Sequence, residues 1–252
     1  MSNQEWNPEK YAASAGFVSE LGRPVLDLLK PQFGERILDL GCGDGELMKI
    51  LADKGYDVAG VDSSPEMVEA ARSRGLDVRV MNAENLEFGP GKEFDAVVSN
   101  AALHWMSDQY AVVRSVWRAL APNGRFAAEC GGEGCVRIIR EGMKLSLAKR
   151  GIDYKPRNPW KFLEVGIFSR ILENQGFRVS FIARFDRPTP LPDGLRGWLG
   201  VFSNRHTEGF SDEEREGFYD DVEEYCRPRL YNERLGWVAD YVRLRFLAEK
   251  PA

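Results

Sequence analysis

Ile37-Leu38-Asp39-Leu40-Gly41-Cys42-Gly43-Asp44-Gly45 is the stretch whose reading decides the fold. A short apolar run meets an acid and opens at once into three glycines at alternate positions. This pattern reads as a buried strand, Arg36 to Leu40, breaking into a loop. The loop backbone must turn sharply and approach a ligand closely, which a residue without Cβ allows. A helical pattern, Glu46 to Lys54, follows and stops at Gly55. Its positive N-terminus then faces whatever the loop holds.

Working outward, short apolar runs alternate with helical spacing. Gly16 to Leu29 reads as a helix before the loop, with Pro31 marking its end. Asp57 to Val61 is a second strand. Pro65 to Arg74 is a helix with proline in its first turn and Gly75 after it, the usual asymmetry of helix ends. Asp77 to Met81, Phe94 to Ser99 and Arg125 to Glu129 are further strands. Asp108 to Leu120 is a helix with Ser107 as its expected N-cap, and Pro122-Asn123-Gly124 a turn. Five βα units in succession predict a doubly wound, mostly parallel α/β sheet covered on both faces.

The later sequence is less regular. Val136 to Lys149 and Val165 to Asn174 have helical spacing, with a Pro- and aromatic-rich loop, Tyr154 to Phe162, between them. Phe177 to Phe185 and Trp237 to Glu249 read as strands without a crossover helix pattern, so one of them should run antiparallel at the sheet edge. Residues 193–227 read as a helical insertion over the C-terminal edge of the sheet. The expected organisation is an N-terminal flap and helix over 1–30 and a cofactor-binding Rossmann-like core over 31–132. Cap helices and the strands that complete a seven-stranded sheet then occupy 133–252.

Composition narrows the partners. The 252 residues carry 43% apolar and 29% charged side chains and a net charge of −5, ordinary for a soluble globular chain. That balance speaks against nucleic acid, which needs a basic face. No apolar run approaches the roughly 18 residues of a membrane span. The polar start lacks a secretory pattern, so a cytoplasmic location and reduced thiols are expected. The four cysteines, Cys42, Cys130, Cys135 and Cys226, form no CxxC pair, and His104 and His206 are the only histidines, so no metal is expected.

The glycine loop has a rival reading. A dinucleotide loop spaces its glycines G-x-G-x-x-G to seat a pyrophosphate. Here the spacing is G-x-G-x-G with Asp39 before it. An anion at the mouth repels pyrophosphate and suits a cation, such as the ammonium of a methionine moiety. That favours S-adenosylmethionine (SAM) over NAD. Asp62, at the end of the second strand, is placed to accept from ribose hydroxyls in either reading. The third strand ends at Asn82-Ala83-Glu84, beside the expected adenine. The fourth opens into Asn100-Ala101-Ala102-Leu103-His104-Trp105 at the point where strand order reverses, so this loop should face the transferred group.

On these residues the chain resembles class I SAM-dependent methyltransferases of the trans-aconitate methyltransferase type. The matching segments are Trp6-Asn7-Pro8 with Tyr11, the loop from Ile37 to Gly45, Gly60 to Met67 and Ser99 to Trp105. Asn158-Pro159-Trp160, Leu172 to Phe177 and Arg187 to Leu191 extend the resemblance across nearly the whole chain. One departure is Asn82, where many relatives carry Asp. The resemblance implies methyl transfer to an oxygen, a carboxylate, of a small molecule. Nitrogen, carbon or hydroxyl acceptors, and a SAM-binding protein without transfer activity, stay open because substrates drift freely on this fold.

The expected cofactor residues are Asp39, Gly41, Cys42, Gly43, Asp62, Ser63, Met67, Asn82, Ala83, Glu84 and Asn100, with Trp6 and Tyr11 as a flap or as anchors of the terminus. Cys42 reads as a small loop residue and not a nucleophile. His104 is the candidate catalytic residue: it could contact substrate, act as a general base or only line the pocket. Trp105, Trp160, Trp198 and Arg205 are the further candidates for the acceptor, with Arg137, Arg140 and Arg196 as weaker ones. A monomer or homodimer fits these readings.

Overall fold

A computed structural model of the chain describes Trp6, Pro8 and residues 21–89, 91 and 93–252. Tyr11 and the first part of the expected N-terminal helix lie outside the described residues. The described helix there is α1, Arg23–Leu29, with proline in its first turn.

The first half alternates as expected. The strands are β1 (Arg36–Leu40), β2 (Asp57–Asp62), β3 (Val78–Val80), β4 (Phe94–Asn100) and β5 (Leu120–Gly131). Helices α2 (Glu46–Ala52), α3 (Pro65–Ser73) and α4 (Gln109–Ala119) connect them. All five strands are parallel, in the order β3-β2-β1-β4-β5. Strand order reverses between β1 and β4, so a crevice opens at their C-terminal ends. Gly60 lets α2 sit close to β2. A Cβ there would lie 2.8 Å from Met48 Sδ and 3.0 Å from Cys42 Sγ. The N-cap of α4 is Asp108, not the expected Ser107. The Asp108 side chain accepts from the Ala111 N–H at 3.0 Å, while the Ser107 hydroxyl is engaged by Glu84.

The second half adds α5 (Arg137–Lys149), α6 (Val165–Gln175), β6 (Arg178–Pro190), α7 (Gly194–Phe202), α8 (Asp212–Leu230), the short β7 (Tyr231–Asn232) and β8 (Gly236–Glu249). β8 is the antiparallel strand, but it does not lie at the edge. It is inserted between β5 and β6, and β6 takes the edge. The burial patterns explain this. Leu244, Phe246 and Ala248 of β8 are buried in the main core, whereas β6 is largely exposed. β6 also carries Pro188 and Pro190, which an edge strand tolerates. It runs on past the expected Phe185 because β8 continues beside it to the pair Pro190↔Val238.

Two apolar layers cover the faces of the sheet, one built with α1 and α2, the other with α4 and α6. A third cluster, with Trp160, Trp198, Phe202 and Phe218, joins α5, α7 and α8 into a cap. Ser211 and Glu214 form a reciprocal capping box that starts α8.

The halves meet at Glu129, a fully buried carboxylate near the end of β5. It accepts from Arg187 Nη1 at 2.6 Å, Arg243 Nε at 3.0 Å and Arg245 Nη2 at 2.6 Å. Burial pushes its pKa up, but Arg243 and the other two guanidiniums outweigh this and hold it below the ordinary value. Replacing one member of a buried ion network strands the others. Glu129→Gln is therefore expected to lower stability by about 3–5 kcal/mol, read from urea unfolding. The contribution of this carboxylate is present above the unfolded value near 4.3 and is lost as pH falls through the lower folded value. The gap between wild type and variant should thus narrow in acid.

Candidate active site

The crevice at the C-terminal ends of β1 and β4 is a cavity of about 1070 Å³, its solvent-open mouth included. Gly41 and Gly43 line it from the loop after β1. Both have positive φ, and a Cβ on Gly41 would lie 2.4 Å from Ala102 Cβ. Asp62 lines it from the end of β2. Its Oδ2 accepts from the Gly43 N–H at 3.0 Å and its Oδ1 from the Ser64 N–H at 2.9 Å. The carboxylate is thus fixed by the loop it faces.

Asp39 lies behind the glycine loop, fully buried, and its Oδ2 has no hydrogen-bond partner among the described residues. Burial and the nearby Asp62 carboxylate push its pKa up to about 7. An orphaned buried carboxylate oxygen next to a second carboxylate awaits a cation. SAM carries two, its ammonium and its sulfonium, so the residues present fit this cofactor. Pyrophosphate would meet the same charges as repulsion.

Ser63, Met67, Asn82, Ala83, Glu84 and Asn100 also line the cavity, as do Trp6, His104 and Trp105. Two of these side chains have structural duties as well. Asn82 Oδ1 accepts from the Glu84 N–H at 3.0 Å. Glu84 Oε1 accepts from the Ser107 N–H, the Ser107 hydroxyl and the Asp108 N–H, tying the third strand's end to the loop after β4. Cys42 does not line the cavity; its side chain packs with Met48, Val68 and Val78. Burial pushes its thiol well above the ordinary value.

His104 is buried, and its Nδ1 accepts from the Gly131 N–H at 3.2 Å. Burial and the Arg243 guanidinium hold its pKa well below the ordinary value, so the ring is neutral. A neutral imidazole that accepts at Nδ1 carries its proton on Nε2. Its other nitrogen is then a donor.

Trp160 and Trp198 stand one layer back, in the cap core. The Trp160 ring lies 5.7 Å from Trp105, and Trp198 Nε1 donates to Tyr241 Oη at 2.7 Å. Arg205 does not reach the cavity and donates instead to the Pro156 carbonyl. Arg137 and Arg196 are bound by acids, Arg137 by Glu141 and Arg196 by Glu216, Asp220 and Glu223. Tyr241 and Arg243 of β8 line the cavity as well, and neither was anticipated. Their signal is the run Tyr241-Val242-Arg243-Leu244-Arg245, in which bulky polar residues alternate with buried apolar ones along a strand.

Known proteins resemble the chain in sequence and in fold. A methyltransferase domain model matches residues 38–128. The chain is 34% identical to an uncharacterised methyltransferase of Schizosaccharomyces pombe, across 99% of this chain and 100% of that protein. It is 41% identical to the trans-aconitate 2-methyltransferase of Rhodococcus jostii, over 49% of this chain and 48% of that enzyme. In fold it is similar to phosphoethanolamine N-methyltransferase 2 of Haemonchus contortus, solved with phosphomonomethylethanolamine and S-adenosylhomocysteine. That likeness has a TM-score of 0.62 at 20% identity and covers 97% of this chain and 57% of that one. The fold and the loop define a class I methyltransferase. The chain belongs to the SAM-dependent methyltransferase family. No helix among the described residues is long and apolar enough to cross a membrane.

Asp39 gives a proton test of the site. Its native carboxyl keeps a proton that the unfolded chain releases near 4, so stability falls as pH rises from about 4 to about 7. A cation bound beside it favours the ionised form. At pH 6.5, binding of S-adenosylhomocysteine is expected to release a fraction of a proton, read by calorimetry in two buffers of different ionisation heat. Asp39→Asn should abolish the release, weaken binding at least roughly tenfold and raise Tm at pH 8, by about 2–4 °C for each kcal/mol recovered. Unchanged binding in Asp39→Asn would remove Asp39 from the site. Asp62→Ala is expected to abolish measurable binding.

Proposed function

We propose that the protein transfers a methyl group from SAM to an oxygen of a small anionic acceptor, a carboxylate. The observation that carries this reading is Arg243. Its Nε is committed to Glu129, it makes no other hydrogen bond among the described residues, and it lines the cavity. A guanidinium fixed at one edge presents its remaining donors as a fork that fits a carboxylate. His104 and Tyr241 line the same cavity. The partial match to trans-aconitate 2-methyltransferase supports the same chemistry.

When bound, SAM supplies an electrophilic methyl carbon on a positively charged sulfur. A carboxylic acid acceptor is already ionised at pH 7, since such groups titrate near 4. No protein base is needed, and a neutral His104 whose Nε2 holds a proton is suited to donating, not abstracting. Arg243 and His104 would hold the acceptor carboxylate with one oxygen turned to the transferred methyl group, an alignment that lowers the barrier. Trp6, Trp105 and Phe202 wall the cavity and exclude water. Transfer would leave S-adenosylhomocysteine and a methyl ester.

Two outcomes test this in a screen of small carboxylic acids. Arg243→Lys keeps the charge but loses the fork, and is expected to raise KM for the acceptor roughly tenfold or more while S-adenosylhomocysteine binding stays unchanged. The profile of kcat/KM against pH should show no limb belonging to a histidine base between 6 and 7, and His104→Gln should retain measurable turnover. A rate that rises through pH 6–7 and vanishes in His104→Gln would make His104 a base and the acceptor a protonated group.

A further inference from the structure

Several cap side chains are left over once the cavity is accounted for. His206 is fully buried, and neither Nδ1 nor Nε2 has a hydrogen-bond partner among the described residues. Its ring is held between Tyr154, stacked at 5.3 Å, and Trp160, at 5.1 Å. A buried polar ring without a partner is unfavourable unless a ligand meets it.

The charges acting on this ring are all positive. They come from Arg140 on α5, Arg157 in the short turn Lys155–Arg157, and Arg205 just after α7; with burial, they hold its pKa down to about 3. Arg140 Nε donates to Tyr154 Oη at 3.3 Å, and its guanidinium lies 5.2 Å over the Phe162 ring. Arg157 Nη1 donates to the carbonyls of His206 and Glu208, at 2.8 and 2.9 Å, and sits over Phe210. Arg205 Nη2 donates to the Pro156 carbonyl at 3.3 Å. None of the three forms an ion pair with a carboxylate among the described residues. By contrast, three other arginines share Glu129, and Arg196 faces three acids. Three guanidiniums around one imidazole, with only neutral oxygens and aromatic faces for company, repel one another unless an anion joins them.

We propose that this corner of the cap, formed by Arg140, Arg157, Arg205 and His206, is a binding site for a small oxyanion, a carboxylate or phosphate. It is distinct from the acceptor cavity. Phe162 stands between them, its ring 5.3 Å from His104 on the cavity side and under Arg140 on the other. An occupant would grip the wall that carries Phe162 and Trp160, and so could steady the aromatic layer behind Trp105. The proposal rests on cap residues alone and holds whether or not the methyl acceptor is anionic.

The test is a calorimetric titration of inorganic phosphate into full-length protein saturated with S-adenosylhomocysteine, at low ionic strength. One phosphate per chain is expected. Arg140→Gln and Arg205→Gln should each weaken it roughly tenfold or more, and Arg243→Lys should leave it unchanged. The His206 ring resonances should move with phosphate in the wild type and stay still in Arg205→Gln. Arg205→Gln breaks one long contact to a carbonyl, so it keeps the test alive if Arg140→Gln fails to fold. Undiminished binding in both variants, loss only in Arg243→Lys, or no binding below roughly 10 mM would each overturn the site.

Discussion

The Glu129 carboxylate sits fully buried near the end of β5 and takes hydrogen bonds from Arg187 of β6 and from Arg243 and Arg245 of β8. Charges are costly to desolvate, and this arrangement persists because the geometry leaves the carboxylate fully engaged. It ties together the three long strands β5, β8 and β6. It also anchors the N-terminal side, because Arg187 Nη1 reaches the Leu21 carbonyl at 3.2 Å. One acid against three bases leaves a positive surplus, and Arg243 delivers part of it to the cavity.

The cavity therefore has two electrical ends. Asp62, with Asp39 buried behind the glycine loop, makes one acidic, and Arg243 makes the other basic, with the loop after β4 between them. Sheet geometry sets this polarity. Asp39 and Asp62 come from β1 and β2, on one side of the point where strand order reverses, and Arg243 comes from β8 on the other. A cation and an anion entering together are sorted before any contact is made.

The acidic end was legible in the sequence because it is local. A strand, three alternate glycines and an acid at the next strand's end are read within some 25 residues, and they fall where expected. So do the parallel order of β1 to β5 and the helices between them. The basic end was not legible, because Arg243 acquires its meaning from Glu129, 114 positions away. Trp160 and Trp198 looked like pocket aromatics, yet the third cluster needed large side chains to fill its centre. The placement of β8 was half readable. An antiparallel strand follows from the missing crossover, whereas its interior position depends on which of the two strands buries more of its side chains.

That interior position bears on how the molecule is made. β8 follows every other strand in the chain, yet it fills the slot between β5 and β6. Until it is synthesised, β5 and β6 are both raw edges with unpaired backbone groups, and Glu129 and Arg187 face each other without Arg243 and Arg245. The βα units of the first half can assemble as they emerge from the ribosome, since their contacts are close in sequence. The sheet itself can close only in a late, long-range step of the kind that is slow and exposed to aggregation. Nascent chains stalled before β8 would thus be clients for chaperones, holding a formed glycine loop and an unfinished cap.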